Sequence, residues 1–321
     1  MKTPKISVIM SAYNAEKYIA EAIESILNQT FKDFEFIIIN DSSTDDSLKI
    51  IKKYKNKDRR IVLINNKKNI GLTKSLNKGL KIAKGKYIAR MDDDDISLSN
   101  RFQIQFNFLK KNKEIFLVGA GTIIINKNGK CIKKSIPIAN RFKIKNILNK
   151  KNFFYHSTIM FRNIHKIFYR EKMLYVEDYD LYLRLIDKGY SLTNIKKPLL
   201  KYRISDNSMT HSNSIPKQLL FIEKAIEFHN QRLGSGSDKY DSFNPISILK
   251  MDYNKSNNKD VLKYLIKSAF KVNDFLETRN ICKRYFKNYG IFNIVPFYYL
   301  ITFLGKKYQK NSLKIPTVKR S

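Results

Sequence analysis

Between Ile6 and Met91, apolar runs of strand length alternate with segments of helical periodicity, and this alternation constrains the fold more than any other feature. Ile6-Ser7-Val8-Ile9-Met10 is a β-rich run that ends at Ser11-Ala12-Tyr13-Asn14. Ile19, Ala22, Ile23, Ile26 and Leu27 recur at helical spacing. Phe34 to Ile39 is nearly all apolar, as a strand buried on both faces requires. Ser47 to Tyr54 predicts a helix, Arg60 to Ile64 a strand, Leu72 to Ala83 a helix ended near Gly85, and Tyr87 to Met91 a further strand. A β-α-β-α-β-α-β order predicts an α/β fold with a mostly parallel sheet covered by helices.

In such a sheet, ligands bind outside the carboxyl ends of the strands. Three polar clusters fall at those ends: Ser11 to Asn14, Asn40 to Asp46, and Asp92 to Asp95. They are far apart in the chain, and the fold brings them to one edge.

Further on, Ile115 to Ile125 and Lys130 to Ile138 read as a hairpin around Asn128-Gly129. Arg141 to Leu148 predicts a helix, His156 to Phe161 a strand, and Asp178 to Gly189 a helix closed by its glycine. The chain turns helical after Pro216, with a loop at Gly234-Ser235-Gly236-Ser237. A boundary near residues 212–216 divides it into residues 1–212 and a helical, basic and aromatic region, 213–321.

The chain carries 62 Lys and Arg against 28 Asp and Glu, a formal charge of +34. Such a charge favours polyanions: nucleic acid, anionic lipid or phosphate-rich substrates. Lys, Asn and Ile abound throughout, so compositional bias competes with function as its cause. Cys131 and Cys282 form neither a metal-type pair nor a disulfide framework, which fits a reducing compartment. Met1 to Ser11 holds no long apolar run, so no signal peptide is expected. The longest apolar stretch, Ile291 to Leu304, contains Asn293 and Pro296 and is shorter than the ~20 residues that span a bilayer.

Asp92-Asp93-Asp94-Asp95 follows an apolar strand. Four adjacent carboxylates need a cation or a solvated loop. If the backbone stays extended, Asp92 and Asp94 point to one side and can share Mg²⁺ or Mn²⁺ with substrate phosphates. An EF-hand starting at Asp92 fails, because Ser97 and Gln103 stand where Gly and Glu are needed. Asp41 can accept hydrogen bonds from a base or a ribose, whereas Thr44 or Asp45 suits helix capping before Leu48. Glu177-Asp178 opens a helix, where the dipole favours acids; a general base at a cleft mouth is the functional reading. Arg184 can pair with phosphate or with a neighbouring carboxylate. His156 and His211 are either structural or contacts to metal or phosphate.

Ordered along the chain, ISVIMSAYN (Ile6 to Asn14), NDSSTDDS (Asn40 to Ser47), NIGLTKSLNKG (Asn69 to Gly79), GKYIARMDDDDIS (Gly85 to Ser97) and EDYDLYLRL (Glu177 to Leu185) resemble the family 2 glycosyltransferases of bacterial surface-polysaccharide type. The likeness covers roughly residues 4–210. It implies a GT-A fold, Rossmann-like, followed here by the helical C-terminal region. It also implies inverting transfer from a nucleotide-diphosphate sugar. Ala12, Tyr13 and Asn14 match the first nucleotide-contacting loop, Asp41 the acid that holds the base, and Asn69 and Gly71 a second loop near the nucleotide. Asp92-x-Asp94 matches the DXD motif, with Asp94 as the direct metal ligand and Asp92 nearer the ribose. Asp178 matches the catalytic base. Tyr202 to His211 resembles a closing loop that reaches the diphosphate, which makes His211 a metal-site residue. The chain departs from the pattern at Asp93, where a small residue is usual, and at Leu76, where many relatives carry Arg; Lys74 or Arg90 can supply that positive contact.

The implied chemistry needs a base for the acceptor hydroxyl and a divalent ion, Mn²⁺ or Mg²⁺, against the charge of the leaving diphosphate. The acceptor is expected to be a glycan or lipid-linked glycan. A sugar-phosphate nucleotidyltransferase would need a glycine-rich loop in place of Ser11 to Asn14. A nucleic-acid-binding protein would not set acidic clusters at its binding edge. Aromatic residues within Ile291 to Leu304, with Lys283, Arg284, Lys287, Lys306, Lys307 and Lys310 on its flanks, predict peripheral attachment to an anionic membrane surface on the cytoplasmic side.

Overall fold

The structure is a computed structural model that describes residues 3–204, 215–271, 274–291 and 294–304. Its first part runs β1 (Ile6–Ala12), α1 (Ile19–Leu27), β2 (Phe34–Asn40), α2 (Ser47–Lys57), β3 (Ile61–Asn65), α3 (Leu72–Ile82) and β4 (Tyr87–Met91), in the order expected. There follow a short β5 (Ile96–Ser97), α4 (Arg101–Lys111), β6 (Ile115–Ile125), β7 (Cys131–Ser135), α5 (Arg141–Ile147), β8 (Met160–Arg162), α6 (Glu177–Asp187) and β9 (Ser191–Arg203). The remaining helices are α7 (Ile215–Ser235), α8 (Ile246–Leu249), α9 (Lys259–Lys271), α10 (Phe275–Tyr289) and α11 (Val295–Leu304).

The strands form one nine-stranded sheet in the order β3-β2-β1-β4-β8-β6-β9-β5, with β7 paired to β6. β1 to β4 are mutually parallel. Beyond β4 the pairing is mixed, because β8 runs antiparallel to both β4 and β6 while β6 and β9 are parallel. Every residue of β1 is buried, since helices cover both faces. Ile6, Val8 and Met10 join a core with Ile19, Ala22, Ile23 and Ile26 of α1 and Phe102 and Leu109 of α4. Ile9 and Ile39 face α3 at Gly79, where a Cβ would stand 2.7 Å from Ile9 Cγ2. The helix approaches the sheet this closely only because position 79 has no side chain.

Two expectations are corrected. His156 to Phe161 is not one strand: His156–Thr158 forms a 3₁₀ turn and β8 starts at Met160. The turn closes because Thr158 Oγ1 and its backbone N–H both donate to the Tyr155 carbonyl. The long β9 was not anticipated. Its middle, Ile195-Lys196-Lys197-Pro198, breaks the apolar pattern, and there its register against β6 shifts.

The chain divides into two compact units, Met1–Ser212 with Ile222–Asn244, and Asn213–Phe221 with Pro245–Ser321. The first thus holds more than the expected residues 1–212. A ladder of ion pairs explains why. Asp187 accepts from His229 Nδ1 and Arg232 Nε, each at 2.6 Å. Arg232 also meets Asp238, which Arg170 holds at 2.7 Å, and Arg170 lies 3.7 Å from Asp180. Both Asp180 and Asp187 belong to α6, so the ladder clamps that helix.

Candidate active site

The four parallel strands end level with one another: Ala12 pairs Asn40, Asn40 pairs Asn65, and Met10 pairs Met91. This aligns the loops after them along one edge.

The first loop is tied to the second. Asn14 adopts a left-handed φ of 51° and accepts the Thr44 N–H through Oδ1 at 2.8 Å. Its own N–H donates to Ser43 Oγ, and Ala15 N–H to Ser47 Oγ. Asp45 accepts the N–H of Ser47, the first residue of α2, so it serves that helix end as expected. Ala12 is buried, and its carbonyl accepts the Asp41 N–H. Tyr13 is 47% exposed, so its ring is free to meet a flat ligand at the edge.

Asp41 is buried, and its carboxylate accepts from Asn66 Nδ2, the Ile70 N–H and the Gly71 N–H at 2.8–3.0 Å. It therefore shapes the loop that carries Asn69 and Gly71. Gly71 stands at φ 87°, which a side chain disfavours, just before α3. Asn69 is exposed and accepts the Gly71 N–H through its own Oδ1.

The four aspartates leave β4 in a bend, not in the extended geometry expected. Asp92 forms an ion pair with Arg90, which is buried on β4. Asp93 accepts the Tyr13 N–H at 3.2 Å, which joins the acidic loop to the first loop. Asp95 is buried and accepts the Arg203 N–H. Arg203 Nε reaches the Asp94 carbonyl at 2.8 Å, and its guanidinium also meets Glu21 and the face of Tyr18. Burial and crowding by like charge raise Asp93, Asp94 and Asp95. Asp93 is pushed up to about 8 by burial, Asp94 and Asp92, and Asp94 to about 6 by burial and Asp92. Surplus negative charge is what a divalent cation relieves, so the cluster fits one. Among the described residues no three His, Cys, Asp or Glu side chains converge as a metal cage. Two carboxylates completed by phosphate oxygens and water need none.

Glu177 and Asp178 start α6. Asp178 accepts from the Tyr179 N–H at 2.7 Å and from Asn152 Nδ2 at 3.2 Å. Burial pushes Asp178 up to about 6; burial and Asp178 push Glu177 up to about 8. Near neutral pH the two carboxyls thus share about one proton between them. Arg90 lies within electrostatic reach of both, as well as of Asp92, so it stands between the two acidic clusters. Asp180 instead takes Arg184 Nε at 2.8 Å, which settles the partner of Arg184 as a carboxylate. His156 Nε2 meets Tyr169 Oη at 2.8 Å, and burial followed by Arg90 holds its value well below the ordinary one, so the ring is uncharged. Lys74 lies 4.0 Å from Glu171 at the surface. His211 and the segment 205–214 lie outside the described residues.

Asn152 and Arg203 were missed by sequence reasoning. Asn152 sits in a loop without periodicity, and its tie to Asp178 spans 26 positions. Arg203 ends a strand whose pattern is broken.

A parallel α/β half with paired acidic clusters at its strand ends, continued by a mixed half-sheet, is the GT-A architecture of glycosyltransferases. The family model described as glycosyl transferase family 2 matches residues 7–168, and the chain belongs to that family. An uncharacterized glycosyltransferase of Methanocaldococcus jannaschii is 40% identical over 234 residues, which is 71% of this chain and 80% of the relative. An O-antigen biosynthesis glycosyltransferase of Escherichia coli is 38% identical over 215 residues, 64% of this chain and 82% of the relative. Among solved structures, residues 1–349 of S. aureus TarS in complex with UDP-GlcNAc align with a TM-score of 0.58 at 18% identity, covering 95% of this chain and 92% of that one.

Proposed function

We propose that this glycosyltransferase inverts the anomeric centre and depends on a divalent metal, moving a sugar from a nucleotide-diphosphate sugar to a hydroxyl of a glycan or lipid-linked glycan in cell-surface polysaccharide synthesis. The observation that carries the reading is the pair of half-buried acidic clusters, Asp92 to Asp95 and Glu177-Asp178, with Arg90 between them. The E. coli relative motivates the polysaccharide setting, and the ligand of the S. aureus structure motivates a uridine-diphosphate donor.

In this reading Asp178, held by Asn152 and the Tyr179 N–H, takes the proton of the acceptor hydroxyl as its oxygen bonds to the anomeric carbon. Tyr13, Asn14, Asn69 and Gly71 border the nucleotide, and Asp41 supports their loops from beneath. Asp94 and Asp92 would hold Mn²⁺ or Mg²⁺, which when bound offsets charge on the departing diphosphate. Arg90 restrains Asp92 and balances the acids around it. Contact with an anionic membrane surface belongs to the same reading, because Ile294, Phe297, Leu300 and Phe303 leave one side of α11 apolar and exposed.

The test is a thermal-shift panel of nucleotide sugars with Mn²⁺ on the full chain and on Asp94→Asn. The true donor should stabilise the wild type by mass action and only in the presence of the ion. The substitution should abolish that shift without lowering the unliganded midpoint. Full transfer by Asp94→Asn, or in excess chelator, would sink the metal assignment.

A further inference from the structure

The part of the first unit that reaches Asp178 through Asn152 is unusual in charge. Residues 127–151 contain nine Lys and Arg and no Asp or Glu. The whole chain averages about one Lys or Arg in five residues and one Asp or Glu in eleven, from 62 and 28 in 321, so bias of composition does not account for the segment. Residues 245–321, with sixteen against four in 77 positions, only match the chain average in cations. All eight lysines of residues 127–151 are exposed.

Three large apolar side chains stand out among these cations: Ile132 at 56% exposure, Ile136 at 52% and Phe142 at 66%. Ile132 stands at a bulge where the register of β7 against β6 shifts, Ile136 follows the last residue of β7, and Ser135 is held by Tyr155 Oη. Among the described residues β7 pairs with β6 alone, which leaves it as an edge. Lysines on an edge strand deter pairing with another chain, but they do not require exposed isoleucines between them. On the nearby α5, the Arg141 guanidinium lies 4.8 Å over the Phe142 ring. The segment starts at Lys127, whose carbonyl accepts from Tyr18 and Arg203 beside the acidic loop, and runs up to Asn152, which holds Asp178. The two ends of the segment thus adjoin the acidic loop and the side chain that holds Asp178.

We infer that residues 127–151 form a docking surface for an anionic bilayer, with Ile132, Ile136 and Phe142 entering the headgroup layer and the surrounding lysines meeting anionic lipid. This rests on the membrane contact in the functional reading above and assigns it to the catalytic unit. Charge complementarity chooses the occupant: cations near an anionic bilayer each add to partition, and exposed apolar side chains between them add burial that a purely polyanionic partner would not use. The surface brings the base to the bilayer, so acceptor hydroxyls close to the headgroups come within its reach.

The chain contains no tryptophan, so a single introduced one reports its own surroundings. Phe142→Trp in the full chain is titrated with vesicles of phosphatidylcholine alone and with added phosphatidylglycerol. Its emission should shift to the blue and be quenched by brominated acyl chains on the anionic vesicles only. Adding Lys133→Gln and Lys134→Gln should lower partition by about tenfold or more, with the unfolding midpoint unchanged. Phe297→Trp serves as the companion reporter for α11. Insertion at position 297 without any at 142 overturns the inference and leaves the membrane reading standing. Silence at both positions removes both. A blue shift at 142 that grows with protein concentration and needs no vesicle means that a second copy covers the surface, and also overturns it.

Discussion

Asp178 and Glu177 differ by one position, and their surroundings hold them differently. Asp178 is held by two donors, while burial and its neighbour push Glu177 up to about 8. Asp178→Asn is expected to lower turnover by about 100-fold or more with little change in donor affinity. A steady-state comparison decides this: collapse of donor binding with turnover retained at saturation would make Asp178 a binding residue. In the wild type, turnover should fall as pH drops through about 6, where Asp178 takes up its proton. Stability should follow the reverse course for this pair. Both folded-state values lie above the ordinary 3.8 and 4.5, so the folded chain binds more protons than the unfolded one between those limits. Their contribution to stability is therefore lost as pH rises through that window. Glu177→Gln removes the cost of ionising position 177. In metal-free buffer near pH 8 its melting midpoint should exceed that of the wild type by at least about 2 °C, and the gain should vanish near pH 4. An unchanged or lower midpoint near pH 8 would contradict the assignment.

At the scale of elements, the strand ends depend on how closely α3 and β4 meet β1. Gly85 lies between α3 and β4, and a Cβ there would stand 2.4 Å from the Ser7 backbone nitrogen and 2.6 Å from the Ile6 carbonyl carbon. Backbone cannot move aside as a side-chain tip does. Gly85→Ala is therefore expected to cost about 3 kcal/mol, at the upper end for overpacking, in urea unfolding. Gly79→Ala should cost less, because it meets side-chain methyls and recovers helix propensity. Equal stability of both variants and the wild type would refute the close-approach argument. These elements were legible beforehand because each strand from β1 to β4 is mostly apolar and α1 has a clear helical stripe. β9 and the turn at His156–Thr158 were not. One is a strand whose centre is polar, and the other is shaped by bonds to Tyr155 and Tyr169 that periodicity does not encode.

For the whole molecule, the ion-pair ladder from Asp180 to His229 makes residues 222–244 part of the catalytic unit. Removing them would leave Asp187 without His229 and Arg232 and Arg170 without Asp238, and losing one partner of a buried pair typically costs about 3–5 kcal/mol. A chain ending at Asn244 is expected to unfold cooperatively, whereas one ending at Ser212 should melt well below it, by circular dichroism. Equal midpoints would mean that the boundary near residue 212 is the energetic one. Among the described residues no helix is long and apolar enough to cross a membrane, in keeping with the short Ile291 to Leu304 stretch.

Local pattern alone determined the alternating half of the fold, the edge at which polar clusters gather, and the acidic motifs that mark the family. Those features are legible because side-chain periodicity and the chemistry of neighbouring carboxylates are properties of short segments. Only the tertiary structure decided that Asp41 accepts from Asn66 and from the Ile70 and Gly71 backbone, that Arg90 stands between the two acidic clusters, and that Asn152 bonds Asp178 and Arg203 the acidic loop. Those outcomes arise from burial and from contacts between positions far apart in the chain, where a charge is costed by its surroundings and not by its neighbours in sequence.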